Sequence, residues 1–411
     1  MTFPIVRAFC AWMLAVLAFS HPASAQASPT IPDTMSGLLR FVGFELGGEQ
    51  STRVLSALAG LEVSTAPLGT STGAFTWIAH PTLGLEVHKA LGFGPSFSER
   101  SLTSGRGSFA IGINTLHSSY GSFAGQDLRK GNGFVLVQNA GSAFGRLSSS
   151  TMNLTLSSNT VVMFATAGML DDLDVGIAVP WIHVAFDAVG GGFESSGARF
   201  EEASVTGAAS SGIGDIALFG KYRFWKQEEG GAAVGVELRL PSGSKDNLRG
   251  LGVTRTLISG IWSRGGKFSP HAKFGYEFWS AGVPISGPFV LGGTTVSAGD
   301  VAAKDQVLYS LGFDYTASRS ATLTLTFDVV GGTLRGGGQV GYHRFAPFGN
   351  EIDVLVGLPE SLTKISIVPG VKWNILKDFL LTANALMTIS NDGLKAGFTP
   401  VIGFDWSFHH R

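Results

Sequence analysis

The chain has 411 residues, 44% of them hydrophobic and only 14% charged, with a formal net charge of −1. Soluble domains carry about 25% charged residues, and a balanced charge gives no support to a nucleic-acid partner. Mean hydropathy is positive at +0.26, yet no apolar run long enough for a spanning helix follows the N-terminal leader, so apolar side chains must be hidden by alternation.

The chain opens Met1-Thr2-Phe3-Pro4-Ile5-Val6-Arg7, an apolar run from Ala8 to Phe19, then Ala23-Ser24-Ala25. A basic start, a short apolar core and an A-x-A site predict a secretory signal peptide over 1–25, cleaved after Ala25. Cleavage removes the single cysteine, Cys10. Stability in an oxidising compartment must then come from hydrogen bonds and packing.

Residues 26–106 read as an N-terminal extension, a plug in the lumen or an extra hairpin. Thr52–Leu58 suggests a helical turn, and 75–80 with 83–88 suggests a hairpin turning at Pro81.

From Gly107 the period becomes two, the signature of strands whose side chains point to alternate faces. Phe109, Ile111 and Ile113 alternate with Ala110, Gly112 and Asn114. Predicted strands follow at Met152–Ala167, Leu173–Trp181 with a bulge at Pro180, Asp215–Phe224 and Ala232–Leu240. Further ones lie at Val253–Trp262, Phe268–Trp279, Gln306–Tyr315, Thr322–Val329 and Lys364–Trp373. The clearest pair closes the chain. Phe379 to Ile389 alternates with Leu380 to Ser390, Asn391-Asp392-Gly393 turns, and Ala396 to Phe408 alternates with Lys395 to Ser407. A strand of about 13 residues at ~3.3 Å each reaches roughly 43 Å, longer than soluble strands usually run.

Connections alternate in length. Short ones fall near 169–172, 226–230, 263–267, 317–319 and 375–377, and longer ones near 124–150, 188–212, 242–250, 280–302 and 331–360. Residues 391–394 form a short member of the longer set. Bacterial outer-membrane barrels have short periplasmic turns and long external loops. The fold class expected is all-β, an antiparallel transmembrane β-barrel of about 12 strands (range 10–14) over 107–408, with a tail at 409–411. Tyr222, Phe224, Phe278, Tyr315, Trp373, Trp406 and Phe408 fall near strand ends on the outward face, as a girdle would. A soluble β-sandwich or lipocalin-like barrel also alternates, but strand length and loop asymmetry disfavour it.

Several segments resemble one family. They are Leu170–Pro180 (LDDLDVGIAVP), Gly212–Ile216 (GIGDI), Leu238–Gly243 (LRLPSG), Val371–Asn374 (VKWN) and Thr399–Gly403 (TPVIG). The family comprises outer-membrane transporters associated with the meta-pathway of phenol degradation, distantly similar to the long-chain fatty-acid outer-membrane channel. The resemblance covers about Gly92 to Phe408 and rests on turn and strand-start motifs. It implies an outer-membrane scaffold and passive uptake of small hydrophobic or aromatic compounds. His409-His410-Arg411 departs from the pattern, since outer-membrane barrels usually end on an aromatic residue read by the assembly machinery.

Gly69-Thr70-Ser71-Thr72-Gly73 matches G-x-S-x-G, but that motif works between a strand and a helix of an α/β sheet, which this pattern lacks. His117-Ser118, or His271 beside Lys273 and Glu277, could serve a barrel hydrolase only if a nucleophile, a base and an orienter converged. No metal-ligand spacing or phosphate-cradling loop occurs, and no cofactor is expected.

The informative residues are charges and amides on the inward face. The candidate lumen-lining set is Asp215, Lys221, Arg223, Glu237, Arg239, His271, Lys273, Glu277, Asp314, Asp328, Lys372, Asn384 and Asp405; Asp174 and Lys364 share that face. Mixed signs argue against a single-sign selectivity ring and for pairs across neighbouring strands, with Glu237 and Arg239 beside Lys221 and Arg223. Inward Leu380, Leu386, Phe219 and Trp279 leave room for an apolar path. Expected partners are outer-membrane lipid, the barrel-assembly machinery and a small hydrophobic or aromatic solute, with no nucleic acid and no enzyme activity. A barrel that transports nothing and serves structure or surface interaction is the alternative.

Overall fold

The structure is a computed structural model that describes residues 30–41, 48–67, 77–79, 86–88, 97–129, 134–140, 146–194, 203–227, 230–291, 294–317, 322–345, 351–376 and 378–409. The expected signal peptide, the G-x-S-x-G stretch and the last two residues of the tail lie outside them.

Twelve strands form a closed antiparallel ring. They are β1 (Ser108–Phe123), β2 (Arg146–Leu170), β3 (Leu173–Glu194), β4 (Ala217–Gln227), β5 (Gly230–Arg239) and β6 (Arg255–Ser263), then β7 (Phe268–Trp279), β8 (Gln306–Thr316), β9 (Leu323–Phe345), β10 (Glu351–Leu376), β11 (Phe379–Thr388) and β12 (Phe398–His409). Each pairs with its sequence neighbour, and β12 returns to β1, with Phe408 opposite Phe109 and Val401 opposite Leu116. The strand count expected from the sequence holds, and so do the faces except at 395–396, where a register shift turns Ala396 inward in place of Lys395.

Period two places the faces. On β5, Ala233 and Gly235 are buried inward while Val234 and Val236 stand exposed outward. On β6 the alternation is unbroken from Arg255 to Ser263. Inward glycines make room for bulky polar neighbours across the wall. A methyl group at Gly370 would collide with the Asn384 amide, and one at Gly312 with Asp328 and His271.

Loop lengths differ from expectation on the long-loop side. The region 331–360 continues the barrel hairpin, so β9 and β10 run 23 and 26 residues. Likewise β2 and β3 run 25 and 22 residues, and the expected loop 188–212 contains the end of β3 and a strand at Ala203–Ile213 that pairs with it. A bilayer needs only about 9–11 tilted residues, so these hairpins stand well above it. Bulges explain why the pattern is hard to read there: register slips between Leu334 and Gln339, where Gly336, Gly337 and Gly338 take positive φ. The expected loop 124–150 holds a strand, Phe134–Ala140, that bridges β2 and β10. The expected loop 280–302 is itself a hairpin, Val283–Leu291 with Thr294–Ala303. The ladder between β3 and β4 breaks near Pro180, whose carbonyl accepts from Gly214 N–H at 2.8 Å.

Among the described residues, the N-terminal region supplies two helices. Helix α1 (Ile31–Phe41) begins with a reciprocal cap: Asp33 N–H donates to Thr30 Oγ1 at 3.2 Å, and Thr30 N–H to Asp33 Oδ2 at 3.0 Å. Helix α2 (Gly48–Thr65) has 18 residues where the sequence suggested a single turn. Its Val54, Leu55, Leu58 and Leu61 are buried in the core that joins it to the barrel's inner wall and the 283–303 hairpin. Trp77–Ala79 pairs with Glu86–His88, so the expected hairpin exists, but it forms its own sheet and adds no strand to the ring.

Candidate functional site: the lumen and its cavity

The outer wall is apolar. Phe274, Leu311, Ile258, Ile402 and Leu325 are exposed, as are the girdle residues Tyr222, Phe224, Phe278, Tyr315, Trp373 and Trp406. Leu311 is 65% exposed and Asp314, three residues on, is 1% exposed. Water would invert that arrangement; a bilayer demands it. The five short turns lie at one end with both ends of the ring, the tall hairpins at the other. The ring is a membrane-spanning barrel laid out as in the bacterial outer membrane.

The lumen is filled from within the same chain, in two places. Residues 97–106 line its short-turn end. Ser98 and Ser310 share a 2.7 Å hydroxyl bond, and the Arg100 guanidinium meets Asp314 Oδ2 at 2.7 Å. Ser101 reaches Ser263 Oγ through both its N–H and its hydroxyl. Ser104 N–H donates to both oxygens of Asp174 at 3.0 Å. Helix α2 fills the opposite end. Gln50 Nε2 donates to Ser286 Oγ at 2.8 Å, and Leu355 N–H to Ser51 Oγ at 3.2 Å. At its other terminus the Ser64 carbonyl accepts from Arg255 Nη2 at 3.1 Å and Arg239 Nη1 at 3.4 Å. The last turn of α2 carries no basic residue, so the barrel wall supplies the positive charge that a helix C-terminus favours.

Every candidate lumen residue from the sequence is inside the ring, but the set divides. Glu237, Arg239 and Lys273 face a cavity. The others pack into the wall or against residues 97–106. Asp215 is buried, accepts from Gly243 and Leu251 N–H groups and pairs with Arg255 at 3.2 Å. His271 is fully buried between two carboxylates, Nε2 donating to Asp328 Oδ1 at 2.6 Å and Nδ1 lying 3.6 Å from Asp314 Oδ2. Glu277 Oε2 accepts from Trp279 Nε1 and Gln306 Nε2. Lys372, Asn384 and Asp405 are buried in the adjoining wall.

The pairing of Glu237 and Arg239 with the Lys221/Arg223 strand does not occur. Arg239 Nε bonds Glu237 Oε1 at 2.6 Å, two residues back on its own strand. Lys221 instead faces Asp174, its register partner, and Arg223 faces Asp172 at 3.1 Å. Asp172 sits in a short turn outside the membrane. Burial works against its charge, but Lys226 and Arg223 outweigh that and hold the carboxyl below its ordinary value.

Between the two internal segments lies a cavity of about 240 Å³. Leu58 and Leu61 of α2, Phe97, and Leu116, Phe219, Leu257, Leu308 and Leu386 from the wall make it largely apolar. Phe219 and Leu386 are where the sequence put an apolar path. Leu380 and Trp279 do not line it, Trp279 being turned to Glu277 and stacked near Arg255. Sequence reading missed α2, Phe97 and Glu99 as lining residues. The capping pattern at Thr30–Asp33 signals α1, but no local signal ties residues 97–106 to strands 70 to 214 positions away. His117 lies on the outer surface, Nδ1 2.7 Å from Asn159 Oδ1. It is apart from His271, so the two do not converge on one site.

No family model matches the chain, and neither does any curated protein. Solved structures superpose loosely. An outer membrane channel from Pseudomonas putida F1 is 13% identical over 75% of this chain and 98% of that one, with a TM-score of 0.47. The Ralstonia pickettii toluene transporter TbuX is 13% identical over 78% and 100%, at 0.36. A Pseudomonas aeruginosa FadL homologue is 9% identical over 85% and 98%, at 0.34. Superpositions this loose carry no weight for function; the wall, the lumen and the cavity do.

Proposed function

We propose that this protein is an outer-membrane channel that takes up small hydrophobic or aromatic compounds passively, without a cofactor. The observation that carries the reading is the apolar cavity inside a polar-lined, membrane-spanning barrel. Leu58, Leu61 and Phe97 turn apolar surface into the lumen, where a wall built only for packing would be closed by matched side chains. The resemblance of the turn and strand-start motifs to the meta-pathway transporters supports the solute class.

One observation favours a second reading, a barrel without transport. Residues 97–106 and α2 occupy both ends of the lumen, the first held by a buried ion pair and the second by a buried arginine–carbonyl hydrogen bond. Uptake of a labelled aromatic solute separates the two, measured in cells that make the barrel and cells that lack it. Equal uptake in both sinks the channel reading.

A further inference from the structure

Six ionisable side chains line the cavity: the acids Glu62, Glu99 and Glu237 and the bases Arg239, Lys273 and Lys364. Each carboxylate lies against one cation. Glu237 meets Arg239 at 2.6 Å, Glu99 meets Lys273 at 3.6 Å, and Glu62 meets Lys364. The charges come from five places in the chain: α2, residues 97–106, β5, β7 and β10. Three acids thus stand beside three bases, one to each.

We infer that this electroneutral collar makes the cavity selective for uncharged solutes, and that the Glu99–Lys273 pair sets the selectivity. The inference rests on the cavity being a solute site. An ionised solute must shed water on entering, and that loss is recovered only where an opposite charge awaits it. Here every lining charge is already matched. An uncharged ring with a hydroxyl loses little on desolvation, buries its apolar face against Leu58, Phe97 and Phe219, and keeps a polar group for hydrogen bonding. Glu99–Lys273 is looser than Glu237–Arg239, and it joins residues 97–106 to the wall. Removing either member leaves an opposite charge facing the cavity.

Benzyl alcohol and benzoate share a ring and differ in charge, so they form the probe pair, titrated calorimetrically into the detergent-solubilised barrel. The natural protein should bind benzyl alcohol at least about tenfold more tightly than benzoate. Glu99→Gln, nearly isosteric, uncovers Lys273 and should narrow that ratio by about tenfold or reverse it. Lys273→Gln uncovers Glu99 and should bring in benzylammonium while benzoate stays excluded. The double variant Glu99→Gln/Lys273→Gln is neutral again and should regain the natural preference. Recovery there also shows that the single variants acted through charge rather than misfolding. Equal binding of benzyl alcohol and benzoate by the natural protein overturns the selectivity and leaves the solute site standing. The same holds if Glu99→Gln leaves the ratio unchanged. Binding of neither probe overturns the solute site itself and the selectivity with it.

Discussion

Ser101 and Ser263 meet through their side chains, Oγ to Oγ at 2.7 Å, and the Ser101 N–H donates to the same Ser263 oxygen at 3.0 Å. One residue belongs to the segment inside the lumen, the other to the end of a wall strand. Two hydroxyls in contact place their Cβ atoms near the separation a disulfide spans. The double variant Ser101→Cys/Ser263→Cys should therefore crosslink on oxidation, Cys10 being the one other cysteine in the sequence. If solute passes by displacing residues 97–106, uptake should fall to background in the oxidised form and return on reduction. Undiminished uptake in the fully crosslinked barrel would place the route elsewhere.

The outward face should reject charge. Ile402 is 53% exposed on the belt, whereas Asn384 on the neighbouring strand is buried inward. Arginine at Ile402 should lower the unfolding free energy by about 2–4 kcal/mol, the usual figure for a basic residue near the bilayer midplane. Asn384→Asp should lose less than about half of that. Denaturant unfolding in lipid vesicles measures both. Equal losses would remove the lipid-facing assignment.

Arg255 anchors two partners from full burial, the Asp215 carboxylate and the Ser64 carbonyl. Arg255→Met should destabilise by about 3 kcal/mol, because it strands a buried carboxylate. That is the low end of the usual range, since Gly243 and Leu251 N–H groups still serve Asp215. Adding Asp215→Asn should recover part of the loss. A double-mutant cycle reads the coupling directly.

Asp172 gives a pH dependence with a definite sign. Its folded value is depressed, so the carboxylate stabilises the fold above its unfolded pKa of about 3.9 and loses that effect as pH falls through the folded value. The stability gap between the natural protein and Asp172→Asn should be level above about pH 5 and close progressively below about pH 4. A gap that widens toward acid would reverse the assignment of Lys226 and Arg223 as its partners.

The wall was legible because a strand's period is two and the belt punishes any slip. Leu381, Asn384, Ile402 and Asp405 all stand on the faces their parity gives. The tall hairpins were not legible, since glycines at 336–338 break register within β9 and interrupt the alternation. The lumen was half legible. Parity shows that His271 or Lys273 points inward, but it cannot show what it meets there. Arg100 and Asp314 are 214 positions apart, and nothing local to either announces the other. For the same reason only Glu237, Arg239 and Lys273 of the thirteen inward candidates reach the cavity.

The closing seam between β1 and β12 joins residues nearly 300 positions apart, Phe109 to Phe408. Local hairpins can zip early, but a contact of that span bears a large loop-closure entropy and belongs late in folding. Residues 97–106 and α2 precede β1, yet they end up inside the finished ring. Their contacts reach β3, β6 and β8, so they are complete only where those strands stand together. The cavity thus has no existence in a half-built barrel. Its walls run from Leu58 to Thr399, and the last rung to form is the one that encloses it.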